Sequence, residues 1–581
     1  MSSTSTTPAA PASLLAGLLP GPGDPRARWY DGAAWLWLAG ALAVALWTYQ
    51  DYGITWDESP HLAYGTRIHR WYTSGFHDRA ALTFRTNYFY GGGFDLLGAL
   101  FRRLAAPLGA YPAIHLLGCL VGVLGLAGAW RLGRVLAGPR AGLLALILLT
   151  LSPVYWGHMF NNPKDSPFAA AYAWSLALLI ATIAALPRPS RMVLARLALA
   201  VGLALSVRIA GLVLICFLGL ALVLFAAHAG WIRRSAASTW AHLRQLGRVG
   251  LGVTAGAWLV MLIGWPWAQL DPLRRPFIAL ARMSSFDAHK RKMPFAGEEI
   301  WNFDIGWDYL PRYFALQMPE LVVLALIFGT IYAVHALIRH GLGRAHHRAA
   351  LALLVLLLSI WLPPLYAIAR GSILYDGYRH FLFLLPPICA LVAVVLDRGL
   401  TRLGRVGRPA LALGTALLLA CGLDVALQMR RLHPHEYVYF NRFIGGLAGA
   451  VDNYDTDYYG NSFKEAFAGL KQHLWATEPE RYLGTIYHYG GCISPRTARH
   501  YTPPNFRGSR EAPPGAMVDF FAGYQRHRCF KRHPTAPVVY TVERDGGPLN
   551  LVKDLRGLDV PAKRKRKAKK SKKKQAPEDP A

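Results

Sequence analysis

Cysteine is scarce, with six residues in 581. Cys119, Cys216, Cys389 and Cys421 lie inside apolar runs, where a thiol is usually a small hydrophobe. No CxxC pair and no His/Cys cluster is present, which excludes the usual zinc patterns. Acidic residues are also few: 33 against 63 Lys and Arg, a formal net charge of +30. On a soluble chain that excess would suggest nucleic acid. No RNA- or DNA-binding motif accompanies it, so nucleic acid is excluded as a partner. No basic segment precedes a short apolar core at the N-terminus, so no cleavable signal peptide is expected. Gly91-Gly92-Gly93 lacks a phosphate-loop context and reads as a turn before a helix. No internal repeat stands out.

Apolar sequence is abundant. Hydrophobic residues make up 53% of the chain, and the mean hydropathy is +0.24. This is the composition of a polytopic α-helical membrane protein with a soluble appendage. Apolar runs at about 32–47, 111–130, 141–157, 167–186, 193–206, 210–228, 249–264, 320–338, 349–366, 380–396 and 409–427 predict about eleven transmembrane helices. One set of alternate loops carries the arginines, among them Arg131, Arg134, Arg140, Arg188, Arg191, Arg244, Arg339 and Arg402. The positive-inside rule makes that set cytoplasmic, together with the N-terminus. Asp57, Asp165, Arg208, Arg370, Arg379 and the loop 265–319 then share one extracytoplasmic face.

The domain reading follows. Residues 1–28 predict a disordered cytoplasmic leader. Residues 29–431 form the membrane domain, with extracytoplasmic loops at 50–110, 158–166, 265–319 and 367–379. Residues 432–560 predict a small extracytoplasmic α+β domain. It has a helix at 462–475 and strands at 482–488, 516–521, 538–543 and 549–553, the last two joined through Asp545-Gly546-Gly547. There Cys492 and Cys529 can form a disulfide if they approach. Residues 561–581 form a disordered basic tail suited to anionic lipid or acidic polysaccharide. The aromatics Trp265, Trp267, Trp301, Trp307, Tyr309 and Tyr313 suit either a carbohydrate or lipid surface or interfacial anchoring.

The chain is organised around Thr55-Trp56-Asp57-Glu58-Ser59-Pro60. Two carboxylates there follow the first apolar run, and ionised groups beside hydrocarbon are costly enough to suggest function. Ser59 reads as a helix N-cap with Pro60 at the first helical position. Asn161-Asn162-Pro163-Lys164-Asp165-Ser166-Pro167 is a second polar island, either a Lys164 phosphate contact with Asp165 as a supporting carboxylate or metal ligand, or a capped turn. Arg208 lies between apolar runs and demands a partner. Tyr375, Arg379 and His380 precede another span, where Arg379 either grips a phosphate or snorkels to headgroups.

If a donor at this face is a sugar on a lipid phosphate, the leaving group is already an anion, so transfer needs cations at the phosphate and one base for the acceptor. Asp57 and Glu58 are adjacent and diverge, so they cannot form the facing carboxylate pair of a glycoside hydrolase. Asp57 is the candidate general base, with Glu58 orienting the acceptor or a metal. Lys164, Asp165, Arg208, Tyr375, Arg379 and His380 are the candidate substrate and phosphate contacts. No motif calls for a cofactor; a divalent cation is the one candidate.

Trp56-Asp57-Glu58 with His61 and Tyr64-Gly65 resembles the first extracytoplasmic loop of GT-C membrane glycosyltransferases. The similar groups are glycosyltransferase family 39, bacterial protein O-mannosyltransferase-like proteins and lipid A aminoarabinose transferases. Asn162 to Phe168, Tyr375 to Phe381, His433 to Asn441 and Asp457-Tyr458-Tyr459-Gly460 resemble later segments of those proteins. The resemblance implies transfer of a sugar from a polyprenyl-phosphate donor to an extracytoplasmic lipid, glycan or protein acceptor, with inversion. It implies a bacterial inner-membrane location. It places Asp57 at the catalytic acidic position and Arg379 near the carrier phosphate. A transporter or flippase of lipid-linked sugars and a non-catalytic envelope assembly protein are the alternatives.

Overall fold

The computed structural model describes residues 18–19, 27–284, 290–341, 346–508 and 518–558. The expected basic tail lies outside the described residues, as does the expected leader apart from 18–19 and 27–28. The chain opens with α1 (Ala27–Thr48), α2 (Glu58–Thr73), α3 (Gly93–Leu104), α4 (Ala110–Ala137), α5 (Pro139–Thr150) and α6 (Pro153–Asn161). Next come α7 (Asp165–Ala184), α8 (Arg191–Val207), α9 (Leu212–Arg233), α10 (Ala236–Ile263), α11 (Pro266–Gln269), α12 (Arg275–Ser284) and α13 (Tyr309–Gln317). The membrane domain ends with α14 (Glu320–His340), α15 (His347–Ala369), α16 (Leu385–Val406) and α17 (Arg408–Leu432).

Among the described residues, nine helices are long and apolar enough to cross a membrane. Two further expected spans take another form. The run at 141–157 is broken into α5 and α6, bent by 67°. The cause is Pro153, which pushes Ser152 into an extended conformation and starts a new helix. The run at 193–206 is α8, which has only 17 residues. The chain is a multi-pass membrane protein: α17 turns Leu413, Leu417, Leu419, Leu423 and Leu427 outward, an apolar face suited to lipid.

The glycine triplet does more than turn the chain. A Cβ on Gly91 would lie 2.2 Å from the Ser206 carbonyl oxygen, and one on Gly93 would lie 2.4 Å from Ser206 Oγ. The start of α3 is thus pressed against the end of α8, two residues before Arg208. Gly65 permits a similar approach nearby, where a Cβ would lie 2.1 Å from the Asp95 carbonyl oxygen. Helices α2 and α3 therefore touch backbone to backbone.

The aromatic loop divides in two. Trp265, Tyr309 and Tyr313 are fully buried, whereas Trp301 and Trp307 are 42% and 74% exposed. Tyr309 and Tyr313 pack with Phe295 and Tyr454, so they belong to a core and to neither an open sugar surface nor an interfacial belt. In this loop β1 (Lys292–Phe295) and β2 (Glu298–Trp301) form a hairpin.

After the membrane domain come α18 (Gly446–Ala450) and α19 (Phe463–Thr477), then β3 (Tyr487–Gly491), β4 (Phe506–Gly508), β5 (Phe520–Tyr524), β6 (Val538–Arg544) and β7 (Gly547–Asp554). The strand order is β4-β3-β5-β7-β6. β3 runs parallel to β4 and β5, and the β6–β7 hairpin is antiparallel. Its turn uses positive φ at Asp545 and Gly546, as the sequence suggested. β3 starts five residues later than expected, after a short helix at Pro479–Tyr482, and β4 was not expected. β4 has only three residues, too few to show an alternating pattern. Cys492 and Cys529 form a disulfide.

Candidate active site

Helix α2 begins two residues earlier than its sequence suggests. Asp57 is the N-cap and Glu58 the first helical residue, so Ser59 does not cap. Its hydroxyl instead bonds Tyr111 Oη at 2.7 Å. Pro60 remains in the first turn, where no N–H is needed.

The two adjacent carboxylates diverge, as their spacing requires. Glu58 turns inward and is completely buried. Its Oε2 accepts from the Thr55 N–H at 2.6 Å, and its Oε1 bonds His115 Nε2 at 2.8 Å. Glu58 thus ties the loop to α4 and faces no open space. Asp57 turns the other way. Its Oδ2 accepts from Lys164 Nζ at 2.8 Å, Arg379 Nη1 at 2.9 Å and the Tyr459 hydroxyl at 2.9 Å. Oδ1 takes no hydrogen bond among the described residues. The side chain keeps 27% of its surface exposed, against 1% for Asp165 and 2% for Asp376. Burial raises the Asp57 proton affinity, but the Lys164 ammonium and Arg379 guanidinium overturn that effect and hold the carboxyl well below the usual range.

Arg379 is the hub. Its Nη1 also donates to Asp165 Oδ2 at 3.1 Å, and its Nη2 to Asp376 Oδ2 at 2.9 Å. Arg208 finds its partner in Asp165 Oδ1. Asn162 holds the same carboxylate from Nδ2 at 2.9 Å, and its Oδ1 accepts from the Asp165 N–H. His380 stacks edge-on against Tyr375 at 4.7 Å, with Nε2 3.5 Å from Arg379 Nη2. The Tyr375 ring also carries the guanidinium of Arg291, 4.7 Å from its centroid. Asp57, Lys164, Asp165, Arg208, Tyr375, Arg379 and His380 therefore converge. Glu58 and Arg370 stay outside, Arg370 being an exposed residue at the end of α15.

The structure adds Asp376, from within the Tyr375 to Phe381 stretch, and Arg291, Asp455 and Arg526, which no local sequence signal marks. Asp376 Oδ1 accepts from Arg291 and from Arg526 Nη2, the latter at 3.0 Å. Asp455 lies 3.9 Å from Arg291 Nη2. Burial pushes its carboxyl up to about 7, with Arg291 opposing and Asp376 assisting. Five cations (Lys164, Arg208, Arg291, Arg379 and Arg526) thus meet four carboxylates, one of them titrating near neutrality. The surplus is positive and suits an anion. Next to Asp57, His61 pairs through Nδ1 with Asp95 at 2.9 Å. No group of three or more His, Cys, Asp or Glu side chains poised for a metal ion occurs among the described residues.

Residues 98–258 match the family model described as dolichyl-phosphate-mannose-protein mannosyltransferase. The match includes Lys164, Asp165 and Arg208, but neither Asp57 nor Arg379. No curated protein matches the chain by sequence. Among solved structures, ArnT from Cupriavidus metallidurans, crystallised with undecaprenyl phosphate, is 15% identical with a TM-score of 0.44, covering 89% of this chain and 98% of that one. The oligosaccharyltransferase AglB from Archaeoglobus fulgidus, in complex with an inhibitory peptide and a dolichol-phosphate, is 13% identical with a TM-score of 0.46, covering 78% of this chain and 58% of that one. The family model falls within the protein mannosyltransferase-like group that the sequence motifs resemble.

Proposed function

We propose that this chain is a membrane glycosyltransferase of GT-C type, which moves a sugar from a polyprenyl-phosphate carrier to an acceptor on the extracytoplasmic side. The observation that carries this reading is the Asp57 carboxylate, one oxygen fixed by two cations and a tyrosine and the other unengaged among the described residues. The family model over 98–258 supports the donor class. The disulfide supports the extracytoplasmic placement, since such bonds persist in oxidising compartments.

The carrier phosphate sits against Lys164, Arg208 and Arg379, which stabilise it as it leaves. Asp57 Oδ1 takes the proton from the acceptor hydroxyl or amine as that atom attacks the anomeric carbon. Attack comes from the face opposite the phosphate, so configuration inverts. The cations that steady Asp57 are shared with the phosphate. When the phosphate binds, it draws on them and places a like charge nearby, which raises the proton affinity of Asp57 as a base is required.

The test is transfer from a radiolabelled panel of polyprenyl-phosphate sugars in membranes holding wild type or Asp57→Asn at equal expression. Label moving only with wild type supports the reading and names the donor. Equal transfer by both removes Asp57 from the mechanism. A flippase would move the lipid-linked sugar across the bilayer with no new glycosidic bond.

A further inference from the structure

Beyond Asp455 and Tyr459, the C-terminal domain also reaches the site through a short stretch that follows β5, residues 525–529. Gln525 Oε1 accepts from the Thr456 N–H at 3.0 Å and the Thr456 hydroxyl at 2.9 Å. Arg526 Nη1 donates to the Tyr458 carbonyl, and its Nη2 donates to Asp376 Oδ1 at 3.0 Å, across 150 residues of sequence. Arg528 pairs with Glu299 on β2 of the long loop. Cys529, fully buried, is bonded to Cys492 just beyond β3. Four residues therefore join the Asp376 loop, the 456–458 segment and the β1–β2 hairpin to a covalently anchored point.

The Asp376 loop needs holding. Asp376 and Gly377 both have φ of +62°, the left-handed region, which is unfavourable for the aspartate. The Asp376 carboxylate is the only group that Arg379 Nη2 meets within 3 Å among the described residues. Tyr458, the other anchor of Arg526, adjoins Tyr459, which donates to Asp57. A residue that served only to seat the domain would have no cause to end on the carboxylate that orients Arg379.

We propose that Arg526 is a positioning residue of the site, fixed by the Cys492–Cys529 bridge, which holds Asp376 so that Arg379 is aimed at the donor phosphate. The proposal rests on the reading of Arg379 as a phosphate contact. The domain then belongs to the clamp, and the clamp is complete only when the bridge is closed.

The experiment uses the full chain in lipid nanodiscs as wild type, Arg526→Ala, Arg526→Lys and Cys492→Ala/Cys529→Ala. Hydrogen–deuterium exchange is followed at 372–382, and sugar transfer from the donor found above is measured in parallel. Arg526→Ala and the double cysteine variant should speed exchange at 372–382 and raise the donor KM about tenfold, with kcat changed much less. Arg526→Lys should recover some of both, since it restores the charge with a single ammonium. Exchange and donor KM equal to wild type in Arg526→Ala overturn the proposal, as does faster exchange spread evenly over 463–554 with 372–382 unchanged. If wild type transfers no sugar while exchange at 372–382 responds to Arg526, the coupling stands and the phosphate reading falls.

Discussion

Replacing Asp57 by Asn separates catalysis from binding at this site. The amide keeps the size of the carboxylate and an oxygen for Lys164, Arg379 and Tyr459 to meet. It loses the charge and the ability to take a proton. Loss of a positioned base costs about a hundredfold to ten-thousandfold in rate, about 3–5 kcal/mol of barrier. Stability should change little. The Asp57 side chain is 27% exposed, so its pairs are partly screened, and Arg379 keeps Asp165 and Asp376. A loss of about 1 kcal/mol is expected. The site also becomes one unit more positive, so a phosphate donor should bind no more weakly than before. The expected signature is a kcat reduced at least about a hundredfold with donor KM unchanged or lower. Steady-state transfer in nanodiscs, with a thermal melt on the same samples, measures all three quantities. A kcat within about tenfold of wild type, or a raised KM at unchanged kcat, refutes the role of Asp57 as base.

Arg379→Ala should act differently, because it strips one partner from three carboxylates at once; about 3 kcal/mol of stability and nearly all transfer should be lost, seen as a lowered melting temperature and absent product. Glu58→Gln should cost about 1–3 kcal/mol through Thr55 and His115 while leaving kcat close to wild type, since Glu58 faces no open space; a kcat collapse without destabilisation would put Glu58 back in the chemistry. Gly65→Ala should cost about 1–3 kcal/mol by forcing α2 from α3, read as a lower melting temperature with weakened transfer. Lys164→Met should move the acid limb of kcat/KM upward. The depressed Asp57 carboxyl is ionised above its folded value and protonated only as pH falls through it, so the acid limb in wild type should lie below the usual carboxylate range. Without Lys164, burial is opposed chiefly by Arg379, and the limb should climb; an unmoved limb would mean that another group sets it.

The apolar runs were legible because a bilayer imposes length and polarity on any helix that crosses it. Parity then brought Asp57, Asp165, Arg208 and Arg379 to one face, and the structure joins them in one hydrogen-bonded cluster. The buried arginine's demand for a partner was readable at Arg208, although the identity of that partner, Asp165, was not. Less legible was anything set by a shift of one or two residues. The start of α2 moved from Ser59 to Asp57, which makes Glu58 the first helical residue and turns it inward to His115. Arg291 and Arg526 escaped notice because each lies among other basic residues and meets Asp376 only through tertiary structure. The bend at Pro153 was masked by the continuous apolar character of 141–157, which hydropathy reads as one span.

The arrangement of charge argues for a site built to be emptied and refilled. A purely structural ion cluster is best served by matched charge, because each unpaired ion in low dielectric costs several kcal/mol. Here the cations outnumber the carboxylates, and Asp455 gives up some of its charge near neutrality. The mismatch persists beside the one carboxylate of Asp57, Asp165 and Asp376 that keeps substantial exposure. An anion entering at Asp57 balances the cluster, and its departure restores the strain. A carrier phosphate does both in a single turnover, since it arrives as a diester bearing one charge and leaves as a monoester bearing more. The cations must therefore grip the leaving form harder than the arriving one, which is the condition for binding energy to lower the barrier and not merely the KM.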